Sequence, residues 1–359
     1  MICQGHYVSA NLMDDQAALT EITKLKTKLQ SVQLPANLQQ KALEQIDRIN
    51  LALRHGGNLS HLDTTEKYID WIISLPWNNE TADVIDIPKT KQILDKNHFG
   101  LEKVKQRILE YLSIYKLQKD KLGSAIIRTR PIFFVGLAGT GKTTFAISLA
   151  ESLGRKFVRI PFGGLASARD LRGQSKTSPD SEPGKIIKAL REVQVKNPVI
   201  LLDELDRVTP EARAEIMGVL IELLDPSQNI HFVDNYIDYP FSLENFLFIA
   251  TGNNTNNIVP PVLDRLEIIQ MPSYTDEEKI EIGKNFIFPK YLAMSGIDKS
   301  QLTIDDALWT EMIRPLGYEP GIRSLERLIE TIVRKVAYKL VSSEGTNFFI
   351  NSSNLKDFK

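Results

Sequence analysis

Pro131-Ile132-Phe133-Phe134-Val135-Gly136-Leu137-Ala138-Gly139-Thr140-Gly141-Lys142-Thr143 reads as a short apolar strand that runs into a glycine-rich turn and opens a helix. The spacing G-x-x-x-x-G-K-T in that strand-to-helix setting is a phosphate-binding loop. Glycine backbones let successive N–H groups curl around phosphate oxygens, and the helix N-terminus adds partial positive charge. Lys142 is placed to reach the β- and γ-phosphates, and the Thr143 hydroxyl to ligate Mg2+. The candidate nucleotide-binding residues here are Gly136, Gly139, Thr140, Gly141, Lys142, Thr143 and Thr144.

Outward from this loop, residues 131–272 alternate short apolar runs with amphipathic stretches. Pro131–Val135, Lys156–Ile160, Pro198–Leu202, Phe246–Thr251 and Glu267–Met271 are too short for buried helices, are rich in Ile, Val and Phe, and are spaced by helix-length segments. That alternation predicts a parallel α/β sheet. Val199-Ile200-Leu201-Leu202-Asp203-Glu204 then sets two acids at the C-terminal end of a buried strand, the edge at which open α/β sheets bind ligands. Asp203 is suited to hold Mg2+, directly or through water, and Glu204 to orient or deprotonate an attacking water. A glutamate directly after the metal-binding aspartate favours hydrolysis over nucleotide sensing. A small-molecule kinase would need an acceptor-binding lid, and no segment reads as one.

The flanks are helical. Ile22, Leu25, Leu29 and Val32, then Leu38, Ala42, Ile46, Ile49 and Leu53, step by three and four on either side of Pro35. Gly56-Gly57-Asn58 ends the second of these helices and Asp63-Thr64-Thr65-Glu66 opens a third, which carries Tyr68, Trp71 and Ile72 towards Pro76-Trp77. A polar link, Asn78–Pro88, follows. Residues 88–130 form one or two helices with eleven Lys/Arg against four Asp/Glu. That surplus is either a solvated face or a weak, salt-sensitive DNA contact. After Pro272, helices are expected at 275–288, 305–313 and 321–343, with one strand at Asn347–Ile350. The expected domains are an N-terminal helical module over 1–80, an α/β nucleotide-binding domain over 81–272 and a helical lid over 273–359.

Composition narrows the function classes. The chain has 359 residues, 42% hydrophobic and 25% charged, which suits two or three globular domains. A net charge of −1 lacks the basic excess of a dedicated nucleic-acid or anionic-membrane binder. The single cysteine, Cys3, excludes a disulfide framework, and five scattered histidines show no metal-ligand spacing. No run approaches the ~20 apolar residues of a membrane span, and Met1–Gln16 does not read as a signal peptide, so the expected location is cytoplasmic.

Several strings resemble one family: Tyr68-Ile69-Asp70-Trp71 with Leu75-Pro76-Trp77, His98-Phe99-Gly100-Leu101-Glu102, Gly154-Arg155-Lys156-Phe157-Val158-Arg159-Ile160, Leu223-Leu224-Asp225-Pro226 with Gln228-Asn229, and Leu263-Asp264-Arg265. From about residue 35 to its end the chain is similar to the ATPase portion of Lon, an ATP-dependent protease of the AAA+ class. The resemblance implies a five-stranded parallel AAA+ sheet with flanking helices, followed by a mainly helical lid. It also implies ATP with Mg2+ as cofactors, polypeptide substrates, a role in protein quality control and a homo-hexameric ring. Asn253, in Thr251-Gly252-Asn253, matches the sensor that helps orient the hydrolytic water. Arg265 matches the arginine finger that reaches the γ-phosphate on a neighbouring subunit. Arg323, in Gly321-Ile322-Arg323, matches the second sensor carried by the lid, and Phe99 lies where the family places an aromatic near adenine. The residues alone leave a turn-capping role open for Asn253, a surface salt bridge for either arginine and plain core packing for Phe99.

The chain departs from the family pattern in three places. No residue stands for the serine–lysine peptidase dyad that follows the lid in Lon, so cleavage is expected to need a further domain or a separate peptidase partner. The substrate-gripping aromatic of the pore loop aligns with Ser178-Pro179-Asp180, and the second bulky pore position with Ala212. Small side chains offer a threaded polypeptide little contact area. In the phosphate loop Leu137 replaces the usual proline. Two readings follow: a Lon-type motor that unfolds or remodels proteins, and an ATP-controlled oligomeric switch or scaffold that threads nothing.

Overall fold

The computed structural model describes residues 20–54, 60–122, 129–178, 180–314, 319 and 321–359. Cys3, the helix start at Leu19, Gly56-Gly57-Asn58, Arg128 and Pro179 lie outside the described residues. The first helices are α1 (20–31), α2 (Ala36–Arg54), α3 (Ser60–Ser74), α4 (Ile87–Asn97) and α5 (Glu102–Leu122). The nucleotide-binding region follows in the order β1 (Ile132–Val135), α6 (Lys142–Leu153), β2 (Phe157–Pro161), α7 (Arg169–Arg172), α8 (Lys185–Val193), β3 (Val199–Asp203), α9 (Arg213–Leu223), β4 (Phe232–Val233), β5 (Pro240–Phe241), β6 (Leu247–Gly252), α10 (Pro260–Leu263) and β7 (Glu267–Gln270). Beyond it come α11 (Asp276–Ile282), α12 (Phe288–Ser295), β8 (Leu302–Ile304), α13 (Leu308–Ile313), α14 (Arg323–Val341), β9 (Phe348–Ile350) and α15 (Leu355–Phe358).

The five expected strands form one parallel sheet in the order β2-β3-β6-β1-β7. All residues of β1, β3 and β6 are buried, as a parallel sheet covered on both faces requires. Strand period two divides them between two cores. Phe133, Val135, Ile200, Leu202, Phe248 and Ala250 point to one face, where α1–α3, α8 and α9 pack. Ile132, Phe134, Val199, Leu201, Leu247 and Ile249 point to the other, under α5, α6 and the helices after β7. The N-terminal helices are pinned by the aromatic residues of their signature. Tyr68 donates from its hydroxyl to Ile237 O at 3.2 Å, and Trp77 from its indole to Ile72 O at 2.7 Å.

Local chemistry accounts for the differences from expectation. Pro88, expected to close the polar link, sits in the first turn of α4, where its missing N–H costs nothing, and Asp86 caps the helix by accepting from Lys89 N at 3.1 Å. The third helix begins at Ser60, so Asp63 lies in its first turn. The helix expected over 275–288 ends as α11 at Ile282 and passes through a π-helical turn, Gly283–Ile287, into α12. Pro289 lacks the N–H that would continue a regular ladder through that turn. The strand expected at 347–350 is β9, and it finds a parallel partner in β8 that was not foreseen. The two-residue strands β4 and β5 are too short to carry a periodicity. No helix among the described residues is long and apolar enough to cross a membrane.

Candidate nucleotide site

The loop after β1 turns through left-handed glycines, with φ of +83° at Gly139 and +91° at Gly141, the residue that precedes α6. Side chains are excluded here sterically as well. A Cβ on Gly136 would stand 2.5 Å from Met271 O, and one on Gly139 would stand 3.1 Å from Ile322 N. No side chain caps α6, so its first N–H groups are left for a ligand. Thr140 is buried and spends its hydroxyl inside the loop, donating to Leu137 O at 2.9 Å. Thr144 likewise donates to Gly141 O at 2.8 Å. Both therefore bear on the loop's shape, and Thr144 also lines the cleft with Thr143, Gly139, Gly141 and Lys142.

The ammonium of Lys142 donates to Gly136 O at 2.5 Å, to Leu137 O at 2.9 Å and to Asn253 Oδ1 at 3.2 Å. Burial lowers its pKa and Arg323 adds to the depression, while Asp206, Asp203 and Glu204 oppose it. The fold thus gathers the lysine, both acids, the strand-end asparagine and the lid arginine around one point, although they are scattered from 142 to 323 in the chain.

Asp203 is 4% exposed, and both its oxygens are engaged. Arg159 Nε donates to Oδ2 at 2.6 Å, and the Thr251 hydroxyl donates to Oδ1. The same Thr251 oxygen accepts from Glu204 N at 3.0 Å. Glu204 has φ of +61°, a left-handed conformation that a non-glycine residue holds only where its surroundings impose it. Its carboxylate is 3.5 Å from Arg207. Thr251 and Arg159 escaped the sequence reading. The only signal was position: one is the residue two before Asn253, and the other sits on β2 beside the acid-bearing strand.

The cleft holds about 510 Å3 and is walled by the phosphate loop, the segment before α5 and the residues after β7. Phe99 lines it and meets Phe286 edge-on at 6.4 Å. Beside it the buried His98 stacks on Phe145 with centroids 3.7 Å apart and places Nε2 3.0 Å from Ser148 Oγ. Arg323 opens α14 and reaches the cleft because Gly321 passes so close to the loop that a Cβ there would be 2.3 Å from Ala138 O. Tyr274, just after β7, donates from its hydroxyl to Thr140 O at 3.3 Å.

Asp203, Glu204, Asn253 and Arg265 are not among the residues that line the cleft. The first three are tied to it through Lys142, which bonds Asn253 and feels the charge of both acids, and Arg265 is not among the groups that act on Lys142. It follows α10 and donates to Pro261 O at 2.9 Å and to Asp225 at 3.0 Å. A second cavity, about 570 Å3, lies beside Pro131 and Leu247 at the starts of β1 and β6, away from the ligand-binding edge, and is lined in part by Asp225, the partner of Arg265.

The donor set fits a nucleotide with Mg2+. Its would-be metal ligands, the Thr143 hydroxyl and the Asp203 carboxylate, are hard oxygens. The nearby Asp206 Oδ1 is buried and has no partner among the described residues. The glycine loop leaves room that a Cβ would fill.

A parallel sheet of this strand order, with a phosphate loop, an acid pair and a lid arginine at one edge, defines an ATPase module of the AAA+ class. Comparison with known proteins agrees: residues 132–274 match the ATPase family associated with various cellular activities (AAA), and residues 293–348 match the Lon protease AAA+ ATPase lid domain. Lon protease of Dictyoglomus thermophilum is 42% identical over 317 residues, covering 88% of this chain and 39% of that protein. Lon protease of Clostridioides difficile is 39% identical over 352 residues, covering 98% and 44%, and Lon protease 1 of Bacillus subtilis is 38% identical over 351 residues with the same coverage. Over these matches the chain corresponds to the ATPase portion of Lon proteases, an AAA domain followed by a Lon lid domain. It spans about two fifths of the length of these curated relatives.

Proposed function

We propose that this chain is the motor of a cytoplasmic Lon-type machine: it hydrolyses ATP with Mg2+ as a homo-hexameric ring and couples turnover to the unfolding of polypeptides, with peptide-bond cleavage done by residues outside 1–359. The observation that carries the reading is the convergence of Lys142, Asn253, Asp203 and Glu204 on one edge of the sheet, with Lys142 bonded directly to Asn253.

Bound Mg2+ would neutralise charge on the terminal phosphates and be held by Thr143 and Asp203. Backbone N–H groups from Gly139 to Thr144 and the start of α6 bind phosphate oxygens. Lys142, already turned into the loop, exchanges its carbonyl and Asn253 partners for phosphate oxygens. That exchange frees the Asn253 amide to orient a water, and the Glu204 carboxylate takes that water's proton as the water attacks. Thr251 links the Asp203 carboxylate to the backbone N–H of Glu204, which fixes the first acid against the backbone that carries the second. Phe99 flanks the base, and Arg323 carries nucleotide state into α14. Arg265, outside its own cleft, reaches the nucleotide of a neighbouring subunit.

Replacement Glu204→Gln tests this. Hydrolysis is expected to fall at least a hundredfold while ATP is still bound, and protein substrate should stay trapped on the ATP-loaded variant. Undiminished hydrolysis would overturn the reading. The pore positions favour one second reading, the ATP-controlled switch that threads nothing: Ser178 is small and exposed, and Ala212 is 2% exposed and presents no side chain at all.

A further inference from the structure

We infer that Asp225 is the positioning residue for Arg265, setting its guanidinium in place for the neighbouring subunit's nucleotide. The inference rests on the reading of Arg265 as a finger acting in trans.

The two residues come from separate elements, forty positions apart. Asp225 begins the turn after α9 and Arg265 ends the turn after α10, and Arg265 Nη2 donates to Asp225 Oδ2 at 3.0 Å. An exposed arginine–carboxylate pair contributes little by itself, but this one is built differently at both ends. Asp225 Oδ1 accepts from Ser227 N at 2.9 Å and from Ser227 Oγ at 2.6 Å, and Oδ2 also accepts from Gln228 Nε2 at 3.1 Å. Its backbone carbonyl takes Gln228 N and Asn229 N. The turn thus fixes the carboxylate, and the Ser227 donors first, then Arg265 and Gln228, hold its pKa down to about 2.

The arginine end is stiff as well. Pro260 and Pro261 fix the start of α10, and Pro261 O accepts from Arg265 Nη1 at 2.9 Å. Two of the five guanidinium donors are used in this way. Arg265 Nε is buried and has no partner among the described residues. A guanidinium held on these two sides still has one N–H at each of Nη1 and Nη2 that the two bonds do not use. An arginine clamped in advance does not lose its rotamer freedom in the transition state, which is how pre-organisation lowers a barrier. A carboxylate that merely parked the finger would need to release it, whereas Asp225 accepts five hydrogen bonds from its own turn besides the arginine's.

The test is a double-mutant cycle on the full chain, measured with saturating ATP at protein concentrations above which the specific rate no longer rises. Arg265→Ala is expected to lose about a thousandfold in kcat. Asp225→Ala should lose about tenfold in kcat with KM for ATP unchanged, and adding it to Arg265→Ala should cost nothing more. Asp225→Asn, which keeps one oxygen that can face Arg265 and gives up the one that accepts from Ser227, should retain more activity than Asp225→Ala, and it carries the test if the alanine variant does not fold. The anchor is overturned on its own if Arg265→Ala is inactive while Asp225→Ala matches wild type, if Asp225→Ala is faster than wild type, or if the two losses multiply in the double variant. Arg265→Ala with normal hydrolysis would instead remove the finger reading, and the anchor with it.

Discussion

Burial of the His98 imidazole, with a further push from Lys105, lowers its pKa from 6.5 to about 4, so the ring that stacks on Phe145 is neutral at physiological pH. The unfolded chain takes up a proton near pH 6.5, and the folded chain does so only near pH 4. The stability this group contributes is therefore complete above pH 6.5 and is lost as pH falls towards 4, by about 3 kcal/mol over that window. Thermal melts between pH 7.5 and pH 4.5 should show this component in the wild type and lack it in His98→Gln, whose amide can still meet Ser148 but does not titrate. Parallel curves for the two proteins would refute the assignment. Such an effect could not be read from the sequence, because a histidine declares its pKa only through what surrounds it. Lys142 and Asp203 were legible because their chemistry is written in local spacing. Thr251 was not, since a threonine at a strand end looks like any β-branched strand residue, and its link between Asp203 and Glu204 exists only once β3 and β6 lie side by side.

At the level of elements, the sheet was legible strand by strand, since buried parallel strands leave continuous apolar runs. What escaped depends on distant partners: β8 is a strand only against β9, and the N-terminal helices share their core with one face of the sheet. The segment 173–184 shows how partnering bears on function. Lys176 Nζ lies 4.2 Å from the centre of the Tyr68 ring on α3, so one end of this segment is tied to the N-terminal helices while Ser178 is exposed. If the segment grips polypeptide, Ser178→Tyr should lower the casein concentration that half-maximally stimulates hydrolysis by about threefold, the equivalent of the roughly 0.5–1.5 kcal/mol an aromatic contact adds. No change would count against gripping. Ala212 offers no such handle: it is buried at the start of α9, and a larger side chain there would overpack the core at a cost of about 1–3 kcal/mol. The basic stretch over α4 and α5 is also partly spoken for. Lys105 pairs with Asp95, Arg107 with Glu267 and Lys119 with Asp83, which leaves fewer cations for DNA phosphates than the composition implied.

The whole molecule divides the proposed catalytic parts unequally. Lys142 is bonded to Asn253 and feels Asp203, Glu204 and Arg323 within one chain, whereas Arg265 is held on Asp225 and is not among the groups that act on Lys142. If Arg265 supplies charge to a neighbour's nucleotide, a lone subunit has every part except the one worth about 10³–10⁵ in rate. A closed ring of heterologous contacts is the arrangement that gives each cleft one finger. Specific ATPase activity should therefore climb steeply with protein concentration and then level off, and the climb should vanish in Arg265→Ala even where sedimentation shows that the ring still forms. A specific rate that stays flat from nanomolar to micromolar protein would mean that the cleft is complete in one chain. Adding casein on the plateau separates the two readings of what the energy is for. A motor accelerates because bound polypeptide pulls on segments such as 173–184, whose preceding Arg172 pairs with Glu222 on α9. An assembly switch has no such lever, and its plateau rate should not respond to casein at all.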